Sequence, residues 1–462
     1  MVTTEHVDVV VVGAGMAGLC SSIAALEAGA RVLTLEKGSR YGGSMFLSGG
    51  LIWTFSDLAQ LRREMPAGDA SLQEMVIDSI GESLAWLEGQ NVALGPEQGF
   101  MWYGRGRRAE PAPMTEALVS RLAALGGRIS LNSPMLELVA DGGGVRGVRA
   151  WTDGEVLEVG AAAVVLATGG FQGNAELLAR YVTPNAHRLY LRANPWSTGD
   201  GFVSAKAAGA AVTPWLDTFY GHALVAPPAR FGPGQFLDVT QRYGQMAVAL
   251  NADGQRFVDE STGTGEESLN QAIAGQRDAT AVYVVDAAIA ERSYYGAAVP
   301  RVSIERALDC GGPVAQAGSL EELCDSLREW GLPARAALRT LRDYNAAIMS
   351  GQAQAMRPPR RRNHFPLAEP PFSAVQVRPG ITFTGGGLAT DTEMRVRQRS
   401  TTNSLLPLMR CAAAEHARGY IGRLYAAGCD VGGISSHGYM GGLAAALVTG
   451  RQAGRAAAQH RN

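Results

Sequence analysis

Cysteine is scarce in this chain: five residues in 462 (Cys20, Cys310, Cys324, Cys411 and Cys429), with no C-x-x-C pair among them. That spacing excludes a structural zinc ribbon, an attached haem and an iron-sulfur module, and it suggests no disulfide framework. A reducing cytoplasm is the expected compartment. An excess of one charge is missing too: 41 basic against 43 acidic residues leave a net charge of -2. Such a balance gives no long-range pull toward nucleic acid or an anionic membrane. The one basic run, Arg357-Pro-Pro-Arg360-Arg361-Arg362, is short and broken by proline, and it reads as a solvated loop. Long apolar runs are also lacking. The first stretch, Val7 to Val12, is too short to span a bilayer, and Met1 to Val7 has no apolar core of the signal-peptide kind. Neither a nucleic-acid nor a membrane partner is expected.

Glycine, by contrast, is abundant at 58 residues and clustered at particular turns, which points to ligand sites lined by backbone. At 462 residues the chain exceeds what one core usually organises, so two domains are expected. Val7 to Val12 has the continuous apolar character of a strand buried on both faces. It stops at Gly13-Ala-Gly15-Met-Ala17-Gly18, a helix follows to Ala28, and Arg31 to Leu35 forms the next strand with Glu36 at its tip. This βαβ unit lets glycine backbone approach a pyrophosphate at a helix N-terminus, while Glu36 accepts hydrogen bonds from an adenosine ribose. The acid disfavours a 2'-phosphate. Lys37 through Gly42-Gly43-Ser44 and then Ser48-Gly49-Gly50 continue as a second glycine-rich, hydroxyl-bearing stretch, which suits a long flavin dinucleotide rather than a nicotinamide one. Hairpin signals appear at Asp141-Gly142 and Asp153-Gly154 between the strand-like segments of Leu136 to Val165. Asp325 to Ile348 reads as one helix, with Trp330 and Tyr344 as core residues.

With these motifs in order, the chain resembles the fumarate reductase and succinate dehydrogenase flavoprotein superfamily, whose relatives include the 3-ketosteroid dehydrogenases and tricarballylate dehydrogenase. Further motifs carry the resemblance: Ala167-Thr168-Gly169-Gly170-Phe171, Thr198-Gly199-Asp200-Gly201, the Asn251 to Glu260 stretch with its D-G-Q-R-F core, and Gly428 to Gly442 with Asp430. It implies an α/β fold: a Rossmann-type FAD-binding domain formed by residues 1–219 and 373–462, with an α+β capping domain inserted at 220–372. It implies FAD, held without a covalent bond because Gly43 stands where membrane-bound members carry a flavin-linking histidine. The residues it sets against the cofactor are Gly13, Gly15, Ala17, Gly18, Glu36, Lys37, Gly43, Ser44, Ser48, Gly49, Gly50, Ala167, Thr168, Gly169, Asp200, Gly428 and Asp430. No metal is implied.

The departures from the family pattern matter as much. Ser435 stands where fumarate reductases place a dicarboxylate-binding histidine, Tyr439 where they place an arginine, and Thr264 where they place the proton-donating arginine. Tyrosine and threonine lack the guanidinium fork of a carboxylate clamp. The ketosteroid enzymes instead bind a ketone with a tyrosine and a glycine N–H, and Tyr439 with Gly441 or Gly442 offers that pair. A phenol and an amide aimed at one carbonyl oxygen stabilise an enolate by a few kcal/mol. The expected activity is desaturation beside a ketone, on a small cyclic substrate or a steroid, with any carboxylate met by Arg105, Arg107 or Arg256. The alternative is oxidoreduction of di- or tricarboxylic acids, and a flavin-binding scaffold without turnover is the non-enzymatic rival. His222 leads as general base, since neutral imidazole accepts protons near neutral pH, followed by Tyr103 and then Tyr220 and Tyr243. His437 is a further pocket candidate. The electron acceptor (oxygen, quinone or a protein) and the oligomeric state are not legible.

Overall fold

A computed structural model of the chain describes residues 3–263, 266–293, 299–399 and 419–460; Thr264 and Cys411 lie outside the described residues. Val9, Val10 and Val11 have no exposed surface, as a strand covered on both faces requires. Their strand, Thr3–Val12, sits at the centre of a parallel row. On one side lie Val32–Leu35 and then Arg128–Ser130, and on the other Glu155–Leu166 and then Tyr420–Ala426. The last of these comes from the far end of the chain, so this domain is assembled from both termini. The expected hairpin meander branches from the internal strand Glu155–Leu166 through Gly144–Thr152 to Met135–Asp141, with Asp153 and Gly154 both at positive φ in the tight turn.

Helix Met16–Glu27 is buried along its first ten residues because the C-terminal helix, Gly442–Ala457, covers it. The two meet at backbone contact. A Cβ at Gly450 would lie 2.5 Å from the Ala17 carbonyl oxygen, and one at Gly454 would lie 2.1 Å from that of Ser21. Ser21 Oγ donates to the Gly450 carbonyl at 2.9 Å.

The second domain is a six-stranded, mainly antiparallel sheet whose central strand is Phe372–Ile381. That strand, together with Tyr190–Leu191 pairing alongside it, carries the cap sheet past both expected limits, 220 and 372. The two domains therefore exchange chain more often than one insertion requires. The expected helix from Asp325 to Ile348 is two helices, Leu320–Ser326 and Ala334–Met349. Gly331, at φ 80°, and Pro333 break it. Tyr344 is core as expected, its hydroxyl donating to the Phe365 carbonyl at 2.9 Å. The basic run is not wholly a solvated loop. Arg357 and Arg361 are exposed, but Arg360 is buried against Glu260 at 3.1 Å and donates to the carbonyls of Ala247 and Gln245.

Candidate active site

One long cavity of about 640 Å³ runs between the domains. Its first end is built on the opening βαβ unit. Gly13, at φ 109°, has no room for a side chain, since a Cβ there would lie 2.2 Å from the Ala167 carbonyl oxygen. Gly15 is different: the nearest atoms to a Cβ are 4.0 Å away, ordinary contact distance, so nothing crowds its backbone. No side chain caps the helix that starts beside it. Orphan N–H groups on an open, glycine-lined helix start fit a pyrophosphate. Glu36, nearly buried, accepts from the N–H groups of Ala14 at 2.8 Å and Gly38 at 2.7 Å. Each carboxylate oxygen keeps lone pairs for a ribose hydroxyl. Lys37 is held against Asp200 at 2.9 Å.

Of the residues expected at the cofactor, Gly13, Gly15, Ala17, Glu36, Lys37, Gly43, Ser44, Ser48, Gly49, Gly50, Ala167, Thr168, Gly169, Asp200 and Gly428 line this cavity. Gly18 and Asp430 do not. Gly18 packs helix on strand, where a Cβ would meet the Gly13 carbonyl oxygen at 1.8 Å. Asp430 lies behind the wall and holds the Thr168–Gly170 turn, accepting from Thr168 Oγ1 at 2.9 Å and Gly170 N–H at 3.2 Å. Burial outweighs these donors and pushes its carboxyl up to about 6.

The other end of the cavity gathers Tyr439, Gly442, Tyr220, His222, Arg192, Arg242 and Glu266. Gly441, at φ 93°, turns the chain so tightly against Trp53 that a Cβ would lie 1.7 Å from that residue's carbonyl oxygen. The turn aims the Gly442 N–H, first of the C-terminal helix, at Tyr439 Oη, which accepts it at 2.9 Å. The Tyr439 ring stacks on Tyr220 with centroids 3.7 Å apart and meets Trp53 edge-on at 5.3 Å. Desolvation pushes the Tyr439 phenol up to about 12, against the opposing pull of the Gly442 amide. It therefore stays a proton donor at neutral pH. Tyr220 Oη lies 3.0 Å from His222 Nε2. Burial, reinforced by Arg192 and Arg242, holds His222 well below its ordinary value, so its imidazole is neutral.

Three of the residues expected at the site from the sequence fall elsewhere. Tyr103 does not line the cavity; it is buried in an aromatic cluster, stacked on Phe55 at 4.7 Å. Tyr243 is buried against Tyr283, outside the lining. His437 is exposed, its Nδ1 3.3 Å from Gln271. The arginines expected to meet a carboxylate are engaged or displaced. Arg107 pairs with Glu88 at 2.8 Å, Arg256 with Glu260 at 2.6 Å, and Arg105 lies off the cavity. Arg192 and Arg242 take that place. Among the described residues neither lies within ion-pair distance of a carboxylate, and the Nε of each is buried without a partner. Arg192 reaches only hydroxyls, Thr382 at 3.3 Å and Thr240 at 3.5 Å. With no carboxylate at ion-pair distance among the described residues, and Glu266 acting on both only from farther off, the two guanidinium groups favour an incoming anion. Sequence spacing gave no signal for these two, since they sit in unrelated loops.

The model of an FAD binding domain matches residues 8–444. The chain belongs to that FAD-binding family. FAD is its cofactor, and it is an oxidoreductase. A probable fumarate reductase of Shewanella frigidimarina is 29% identical over 99% of this chain and 76% of its own length. A vinyl phenol reductase of Lactiplantibacillus plantarum is 25% identical over 99% of this chain and 97% of its own. The solved 3-ketosteroid-Δ4-(5α)-dehydrogenase of Rhodococcus jostii has the same fold, with TM-score 0.73 and 23% identity over 98% of this chain and 97% of that one. No helix among the described residues is long and apolar enough to cross a membrane.

Proposed function

We propose that the protein desaturates a small cyclic ketone beside its carbonyl, and that the substrate carries a carboxylate. The observation that carries this is the Tyr439 Oη and Gly442 N–H pair, 2.9 Å apart at a helix N-terminus on the cavity wall. A carbonyl oxygen entering there accepts from the Tyr439 phenol, and the Gly442 N–H donating to Tyr439 Oη makes that phenol a stronger donor to the charge that builds on oxygen as the α-proton leaves. Arg192 and Arg242, neither in an ion pair among the described residues, hold the carboxylate and so fix the ring relative to the Tyr439 hydroxyl. Tyr220, backed by His222 at 3.0 Å, removes the α-proton. Non-covalently bound FAD, held along Gly13 to Ala17, Glu36 and Gly43 to Gly50, supplies the hydride acceptor.

The deciding experiment is Tyr439→Phe, assayed with an oxocyclohexane carboxylate. Turnover should fall by about 10²- to 10³-fold, the effect of removing one oxyanion donor. Unchanged ketone turnover overturns the reading. Arg192 and Arg242 also support a second reading, in which the carboxylate of an unsaturated acid is itself the handle, as the name fumarate reductase in the relatives suggests. Under it, an acid of that type bleaches or reoxidises the flavin with Tyr439→Phe as well as with the native chain.

A further inference from the structure

Glu266 belongs to no motif read from the sequence, yet it stands at the far side of the active-site histidine. It is 2% exposed, immediately before helix Glu267–Ala274, and lines the cavity. Its Oε1 lies 2.9 Å from His222 Nδ1, while His222 Nε2 lies 3.0 Å from Tyr220 Oη. The His222 ring is turned so that Nδ1 and both Glu266 oxygens lack an aligned partner. The 2.9 Å separation is within hydrogen-bonding range.

We propose that Glu266 is the terminal proton acceptor of a relay running from Tyr220 through His222, with His222 positioned by it. The proposal rests on the ketone reading above. In the oxidising direction the substrate's α C–H bond breaks and its electron pair stays on the enolate. The proton goes to Tyr220 Oη as the phenol proton passes to His222 Nε2 and the Nδ1 proton to Glu266 Oε1. The hydride from the β-carbon goes to FAD. In the reducing direction each proton moves back.

The surroundings suit that assignment. His222, Glu267, Arg192, Arg242, Tyr243 and Tyr283 are the titratable or charged groups facing Glu266. Burial raises Glu266 well above its ordinary value, with Glu267 adding to it and the two arginines opposing. Burial also depresses His222. A proton passed along the relay is therefore held more readily by the carboxyl than by the imidazole. As pH falls, Glu266 becomes protonated before catalysis, and oxidation should decline while the reverse reaction does not.

The test is Glu266→Gln in the FAD-loaded protein. Oxidation of the ketone should fall by about 10²-fold in kcat with KM nearly unchanged, the usual worth of a general acid or base. The acid limb of its pH profile should flatten, and Glu266→Gln with His222→Gln should be no slower than the slower single variant. A flat loss at every pH with the limb retained, or full activity, overturns the relay. A second measurement needs neither turnover nor the variant: in histidine-labelled native protein, the His222 Nδ1 resonance should titrate together with a buried carboxyl, and a resonance insensitive to pH overturns the relay. Tyr439→Phe with full turnover would instead sink the ketone reading and leave this measurement standing.

Discussion

At the residue scale, the proposed function assigns substrate charge to Arg192 and Arg242. Arg192 is buried, and desolvation lowers its guanidinium from its ordinary value. Replacing Arg192 with Met keeps bulk and removes the charge. KM for a carboxylate-bearing ketone should rise by about 10²-fold, in line with the loss of a charge-assisted bidentate contact, whereas an uncharged cyclohexanone should bind no worse. Steady-state assays on the two substrates check this, and equal losses on both contradict it. Asp430 offers a pH test. Its carboxyl is raised from 3.8 to about 6, so across that window the folded chain holds a proton that the unfolded chain has released. Its contribution to stability is therefore present at the acid end and lost as pH rises. Asn cannot titrate, so urea melts of Asp430→Asn and native protein should diverge between those two pH values; a constant offset would contradict the assignment. Glu36 and Tyr439 were legible in sequence because a short motif places each. Arg192, Arg242 and Glu266 were not, because each sits in a loop whose neighbours encode nothing about what it will face.

At the scale of elements, the helix pair Met16–Glu27 and Gly442–Ala457 joins the two ends of the chain and aims the second helix's N-terminus into the cavity. The helices pack through Gly450 and Gly454, and the Ser21 backbone leaves no room for a methyl at Gly454. Gly454→Ala, though favourable for helix propensity, should lower stability by about 1–3 kcal/mol through overpacking, measurable by thermal melting. A stabilised variant would show that the helices are further apart. Apolar character and glycine punctuation identified both helices in sequence. Which one covers the other, and that small residues form the contact, depends on residues more than four hundred positions apart. The break of the cap helix at Gly331 and Pro333 is the reverse case: local chemistry announced it, and the long apolar pattern on either side concealed it.

The whole molecule is two domains around one cleft, and its stability is tied to what fills that cleft. FAD binding the folded chain alone stabilises it by mass action, about 2.7 kcal/mol at a hundredfold excess over Kd. Thermal melts with and without added FAD should show that shift, and Glu36→Ala should shrink it; an unaltered shift in the variant removes Glu36 from the cofactor site. The dinucleotide fold and the cofactor were determined by the sequence alone. Strand, glycine turn, helix, strand and acid lie within one short span, where chain connectivity already dictates proximity. The proposed substrate end was decided only by the tertiary structure. Its amide and phenol come from the last helix, its imidazole and arginines from loops at the edge of the cap sheet, and its carboxylate from a helix start within the cap. Side chains so far apart along the chain acquire a shared chemistry only when two sheets close on each other, and burial then sets the charges that each one carries.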